Sequence, residues 1–204
     1  MGVACLLQVD ISEGMNGQQT LDALQKKVEL AGGVRNGSWL VECETYSSSQ
    51  NFESTSKIFH LLHCSDYPNV SFAALENDTC VVADQGMDSL VTKLKAFYVP
   101  RKSGKTEAKG INYDFGDFKI KLGNISQGNN FKGIIIEFEY CACFDIHQSW
   151  NLLLEMATSF VDEKQCQVLP APKAVIDSKS RQYSVADKML QYVELFKFGK
   201  KTTS

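Results

Sequence analysis

Apolar and polar positions follow a period of two over most of the first 140 residues, and the period changes to that of a helix in a few segments. Val3 to Val9 is an apolar run of strand length. Gln18 to Leu30 then sets Leu21, Leu24 and Val28 on one face, and Gly32-Gly33 ends that helix. Ser38 to Tyr46 alternates, with Trp39, Val41 and Cys43 facing one way and Glu42 and Glu44 the other. Lys57 to His63, Val70 to Leu75 and Thr79 to Ala83 are short strands, the last two joined as a hairpin through Glu76-Asn77-Asp78. Helical spacing returns from Asp88 to Tyr98 through Leu90, Val91, Leu94 and Phe97, until Pro100 closes the segment. Ile111 to Phe115, Phe118 to Ile125 and Gly133 to Tyr140 are three more strands. Helices over His147 to Val161 and Val185 to Phe198 complete the chain, the second opened by Ser184 three residues before Asp187, a capping-box spacing.

About eight strands in hairpin-like succession, with helices after the first strand, after the fifth and at the end, predict an α+β fold. The expectation is a single domain over residues 1–204, built on a mostly antiparallel, barrel-like sheet with flanking helices. Closing eight strands into a barrel would remove the unpaired edges of an open sheet. Surface loops are expected at 47–56, 101–109 and 166–182, with a flexible tail at 199–204.

Composition narrows the function classes. With 21 basic and 24 acidic residues the net charge is −3, so the chain as a whole lacks the positive field of sequence-independent nucleic-acid binding. Seven cysteines and no secretory pattern around Met1-Gly2-Val3-Ala4-Cys5 predict reduced thiols in the cytosol or nucleus. Gly2 is not in a myristoylation motif, because Leu6 stands where Ser or Thr is needed. Apolar runs such as Leu152 to Leu154 fall far below the ~20 residues of a membrane span, which predicts a soluble protein.

The candidate chemistry is sparse. Ser103-Gly104-Lys105-Thr106 ends like a P-loop, but Val99 stands where the first glycine belongs and a helix precedes it, so a solvated basic loop with Arg101, Lys102 and Lys109 is expected. Neither Cys141, Cys143 and His147 nor His60, His63 and Cys64 has the paired spacing of a structural zinc site, and His60 and His63 would point to opposite faces of a strand. Glu42 with Glu44, Glu137 with Glu139, and Lys119 with Lys121 each place two charges on one strand face. Turned inward, they could hold a divalent metal and a triphosphate, as in tunnel-type triphosphatases. The opposite faces are apolar, so these charges are expected to face water instead. Strands with apolar residues on both faces must be covered twice, by the chain's own helices or by a partner. Leu6, Phe59, Leu61 and Val81 are the partner-interface candidates on such strands.

The order of these elements, and the residues along them, resemble the Mediator complex subunit 20 family. The resemblance runs from Met1-Gly2-Val3 and Cys5 through Gln18-Gln19-Thr20, Cys43-Glu44-Thr45-Tyr46, Asp66-Tyr67-Pro68, Phe72-Ala73, Glu76-Asn77 and Ala83-Asp84. It continues with Asp88, Lys93-Leu94-Lys95, Phe97, Asp117-Phe118, Glu139-Tyr140, Trp150, Leu152 to Glu155 and Gln191 to Phe196. It implies a noncatalytic subunit of the Mediator head module in the nucleus, relaying regulatory signals to RNA polymerase II through protein contacts. It further implies a β-barrel-like fold, a heterodimer with Mediator subunit 18 and, through it, subunit 8. No cofactor, catalytic residue, direct nucleic-acid contact or membrane contact is implied.

Overall fold

The structure is a computed structural model in which residues 2–11, 13–49, 57–102, 104–178 and 181–198 are described. In chain order the elements are β1 (Val3–Val9), α1 (Gly17–Leu30), β2 (Val34–Ser48), β3 (Ile58–Cys64), β4 (Val70–Leu75), β5 (Cys80–Asp84), α2 (Gly86–Lys93) and β6 (Tyr98–Pro100). They continue with β7 (Thr106–Phe115), β8 (Phe118–Gln127), β9 (Asn130–Tyr140), α3 (Ile146–Phe160), β10 (Cys166–Val168), α4 (Lys173–Ile176) and α5 (Val185–Phe198). Polar side chains start the helices where the pattern requires. Asn16 forms a full capping box with Gln19 at α1, and the Asp145 carboxylate accepts the His147 N–H at α3.

The ten strands among the described residues join one antiparallel sheet in the order β10-β1-β9-β8-β7-β2-β3-β4-β5, with β6 added to the end of β2. The α+β class therefore stands, but the sheet has two open edges, β10 and β5, and is not a closed barrel. The two strands beyond the expected eight are short. β6 forms because the second helix stops at Lys93, five residues before the expected end at Tyr98. The Phe97 and Tyr98 N–H groups then turn back onto the Leu94 carbonyl, which frees 98–100 to pair with β2. β10 forms within 166–182, where Leu7, Gln8 and Val9 supply an unpaired strand edge. The basic connector is likewise shorter than 101–109, since Thr106 to Lys109 are already paired with β2 and β8 around a fully buried Ala108. Most of the expected 47–56 loop and the 199–204 tail lie outside the described residues.

The register decides what each face carries. Leu6, Glu137, Lys121 and Asn112 are cross-strand partners and share one face of β1, β9, β8 and β7. Continued through β2 and β3, that face holds Trp39, Val41, Cys43 and Leu62. Helix α5 packs on it, touching β1, β4 and β5 across the open side of the sheet. The opposite face carries Cys5, Leu7, Ile120, Leu122, Ile136 and Phe138 under α1 and α3, where Phe138 and Phe115 both meet the Phe160 ring. Most of the sheet is thus covered twice, and each fully buried Leu or Ile contributes about 1.5–3 kcal/mol.

Gly110 and Gly123 are paired across β7 and β8 beneath the Trp39 indole. A Cβ on Gly123 would lie 2.2 Å from the Lys109 carbonyl oxygen and 2.9 Å from the indole. Gly123→Val is therefore expected to destabilise the fold by about 1–3 kcal/mol through overpacking. Urea unfolding followed by tryptophan fluorescence measures it, and an unchanged midpoint would contradict this account of the glycine pair.

Candidate functional site

The two carboxylate pairs singled out in the sequence do not meet. Glu42 and Glu44 lie on the outer face of β2, where Glu42 pairs with Lys105 at 2.6 Å and Glu44 accepts the Tyr46 hydroxyl at 2.7 Å. Glu137 and Glu139 lie on the α5 face of β9, on the other side of the sheet. A four-carboxylate metal site is excluded by this geometry. The expectation that all these charges face water is also overturned, because Glu137, Glu139 and Lys121 are buried while Lys119 is exposed.

The reason is α5, which brings its own charge. Lys188 Nζ lies 2.8 Å from Glu139 Oε2 and 3.3 Å from Glu137 Oε1. Lys121 Nζ lies 3.4 Å from Glu137 and 2.5 Å from Asp66, with the Trp39 ring 5.7 Å away. The Tyr192 hydroxyl donates to Glu137 at 2.5 Å, and the Gly2 N–H donates to Glu139 at 2.8 Å. Two lysines, three carboxylates, a phenol and a backbone amide therefore satisfy one another where the sheet would otherwise need solvent.

The charges respond accordingly. Burial by itself would raise the Glu137 carboxyl, but Lys121, Lys188 and the Tyr192 hydroxyl together hold it down to about 2. Burial opposes the Lys188 charge, yet Glu137 and Glu139 outweigh it and push its pKa well above the ordinary lysine range. The Tyr192 hydroxyl is pushed up by burial and by the Glu137 charge. At neutral pH Lys188 and Lys121 thus stand as ammonium ions against the ionised Glu137 carboxylate. Among the described residues no three His, Cys, Asp or Glu side chains group as metal ligands. His60 Nδ1 meets Thr45 Oγ1 at 3.0 Å on one face, while His63 pairs with Asp88 at 3.1 Å on the other. Cys143 Sγ sits against the Asp145 backbone. All seven cysteines are free thiols, and burial raises Cys5 to about 12.

The interface candidates fall into different environments. Leu6 is fully buried on the α5 face, and its carbonyl accepts the Leu169 N–H. Phe59 and Leu61 are covered on the outer face of β3 by Val91 and Met87 of α2, with Tyr46 stacked on Phe59 at 5.0 Å. Val81 is open to solvent on the edge strand β5. Lys188 is the residue that pattern reading missed. It stands in the α5 stripe one position before Met189 and four before Tyr192, which is the signal of a lysine turned inward.

This is an open-sheet α+β protein in which the charges that could have lined a tunnel instead hold a helix. Comparisons with known proteins give its family. The family model described as "TATA-binding related factor (TRF) of subunit 20 of Mediator complex" matches residues 1–197. The chain is 40% identical over 200 residues to chicken Mediator of RNA polymerase II transcription subunit 20, covering 96% of this chain and 93% of the relative. It is 37% identical over 201 residues to the human protein of the same name, with the same coverage. A chain in the structure of the Schizosaccharomyces pombe Mediator head module aligns at 11% identity and a TM-score of 0.47, over 81% of this chain and 96% of that one. The chain belongs to the Mediator subunit 20 family.

Two outcomes test the buried cluster. Lys188→Met leaves Glu137 and Glu139 short of a cation and is expected to cost about 3–5 kcal/mol, read as a lower urea midpoint. Lys188→Met combined with Glu139→Gln should recover part of that loss, and strict additivity would contradict direct coupling. The second outcome is acid sensitivity. Because the folded pKa of Glu137 is below its unfolded value, its stabilisation is present above about 4.5 and is lost as pH falls toward 2. Urea midpoints should therefore drop between pH 5 and 3, and Glu137→Gln, although less stable at pH 7, should show a shallower drop.

Proposed function

We propose that this chain is a noncatalytic subunit of the Mediator coactivator, placed in its head module, which relays regulatory signals to RNA polymerase II through protein contacts in the nucleus. The observation that carries the reading is the family match over residues 1–197. The closed charge cluster supports it, since the groups best suited to phosphate or metal chemistry are already neutralised by Lys188 and Lys121. The acidic balance of the chain fits a transcription protein that reaches DNA through other proteins rather than by itself. In this reading the chain acts as one domain, pairs directly with Mediator subunit 18, and is tied through that pair to subunit 8.

Co-expression with subunit 18, followed by size-exclusion chromatography, tests the pairing. The expected result is a stable one-to-one complex, and separate elution of the two chains would overturn it.

A further inference from the structure

The edge strand β5 is one of the two open edges of the sheet, and the longer of them. The Leu75 N–H donates to the Thr79 carbonyl at 2.8 Å, which makes 75 and 79 a hydrogen-bonded pair of the β4–β5 ladder. Pairs alternate in an antiparallel ladder, so Val81 and Ala83 bond inward to β4 while Cys80 and Val82 turn their N–H and C=O groups outward. The Val70 N–H, opposite Asp84, bonds to Tyr67 rather than to β5, as this phase requires. Among the described residues no backbone partner meets the outward groups of Cys80 and Val82. The side chains are open as well, with Val81 at 47% exposure on one face and Val82 at 56% on the other.

Natural sheets protect such an edge with lysine, proline or a covering element. This one has the reverse charge. Residues 64–92 contain Asp66, Glu76, Asp78, Asp84 and Asp88 and no Lys or Arg. Asp66 is held by Lys121 and Asp88 lies against His63, which leaves Glu76 and Asp78 at one end of β5 and Asp84 at the other. At the Asp78 end the edge adjoins a cavity of about 250 Å³ lined by Pro170, Leu190, Gln191 and Glu194, with Lys173 at its wall. Gln191 is 2% exposed there, and its Nε2 has no hydrogen-bond acceptor among the described residues.

We propose that β5 is a docking edge for an extended, basic segment of a partner protein, which adds an eleventh strand to the sheet. The unpaired backbone groups of Cys80 and Val82 supply the ladder bonds. Val81 and Val82 set the preference for β-branched or other apolar residues on both faces of the incoming strand. Glu76, Asp78 and Asp84 select lysine or arginine at its flanks. The inference rests on the reading of the chain as one that works through protein contacts. It does not depend on subunit 18, so loss of the one interaction leaves the other measurable.

The probe is a fluorescein-labelled strand peptide of about seven residues with valines at its centre and lysines at both ends, and its counterpart carries glutamates at the ends instead. Titration of the full chain into each is read by fluorescence anisotropy. The lysine peptide is expected to bind at least about tenfold more tightly, with affinity falling as salt is added. Hydrogen exchange should show the Cys80 and Val82 amides gaining protection on binding, while Val81 and Ala83 are protected already. Val82→Pro removes an outward N–H and leaves the β4 ladder intact, so it should abolish binding with little change in melting temperature. If that variant fails to fold, Asp78→Lys combined with Asp84→Lys should reverse the preference between the two peptides. Equal binding of both peptides, binding unaffected by Val82→Pro, protection elsewhere on the chain, or self-association through β5 would each overturn the proposal.

Discussion

The contact between Lys188 and the carboxylates of Glu137 and Glu139 is the constraint on which the rest of this structure depends. An antiparallel sheet that does not close leaves a concave face needing a cover, and here the cover is the last helix. Apolar packing through Met189, Tyr192 and Phe196 gives α5 its affinity for the sheet but little sense of register. The buried ammonium does, since a helix displaced by one turn would leave Glu139 without a cation and Glu137 with Lys121 alone. A buried ion pair adds little net stability over an apolar substitute, and its use here is specificity.

That lock also explains how charged groups are accommodated in the interior. Carboxylates and lysines on neighbouring strands are the raw material of metal and phosphate sites. In this chain Lys121 and Lys188 are already committed to Glu137, Glu139 and Asp66, and Tyr192 takes a remaining lone pair. Glu42 and Glu44 face away, one paired with Lys105 and the other with Tyr46. What remains available to other molecules is surface: the β5 edge, the cavity beside Asp78, and scattered exposed apolar side chains such as Leu90 and Phe131. Membership of the Mediator subunit 20 family is in keeping with a protein whose interior is devoted to holding its shape.

Much of the fold was legible in the pattern. The strands from Val3 to Val9 and Phe118 onward, the helix ending at Gly32-Gly33 and the last helix opened at Ser184 all lie within a few residues of where alternation and capping place them. The Ser184 start is carried by the Asp187 carboxylate, which accepts the Ser184 N–H at 2.9 Å and is paired with Arg181 at 2.6 Å. The short strands were not legible. Tyr98–Pro100 and Cys166–Val168 exist because a distant edge is there to pair with, and three residues carry too few alternations to announce a strand. The charged cluster was half visible: Glu137, Glu139 and Lys121 stood out, but their alternation with apolar neighbours pointed them at water.

The sequence by itself determined the long strands and the principal helices, which faces are apolar, and the family to which the chain belongs. Those properties are local, or are carried by residue order over the whole length. Tertiary structure alone decided that the sheet stays open, that β5 is one of its bare edges, and that Glu137 and Glu139 are buried beneath a helix whose Lys188 lies 51 and 49 residues further along the chain. Alternation states which side chains share a face of a strand. What covers that face depends on where the chain returns, and a lysine arriving from such a distance changes a solvated charge into a buried one.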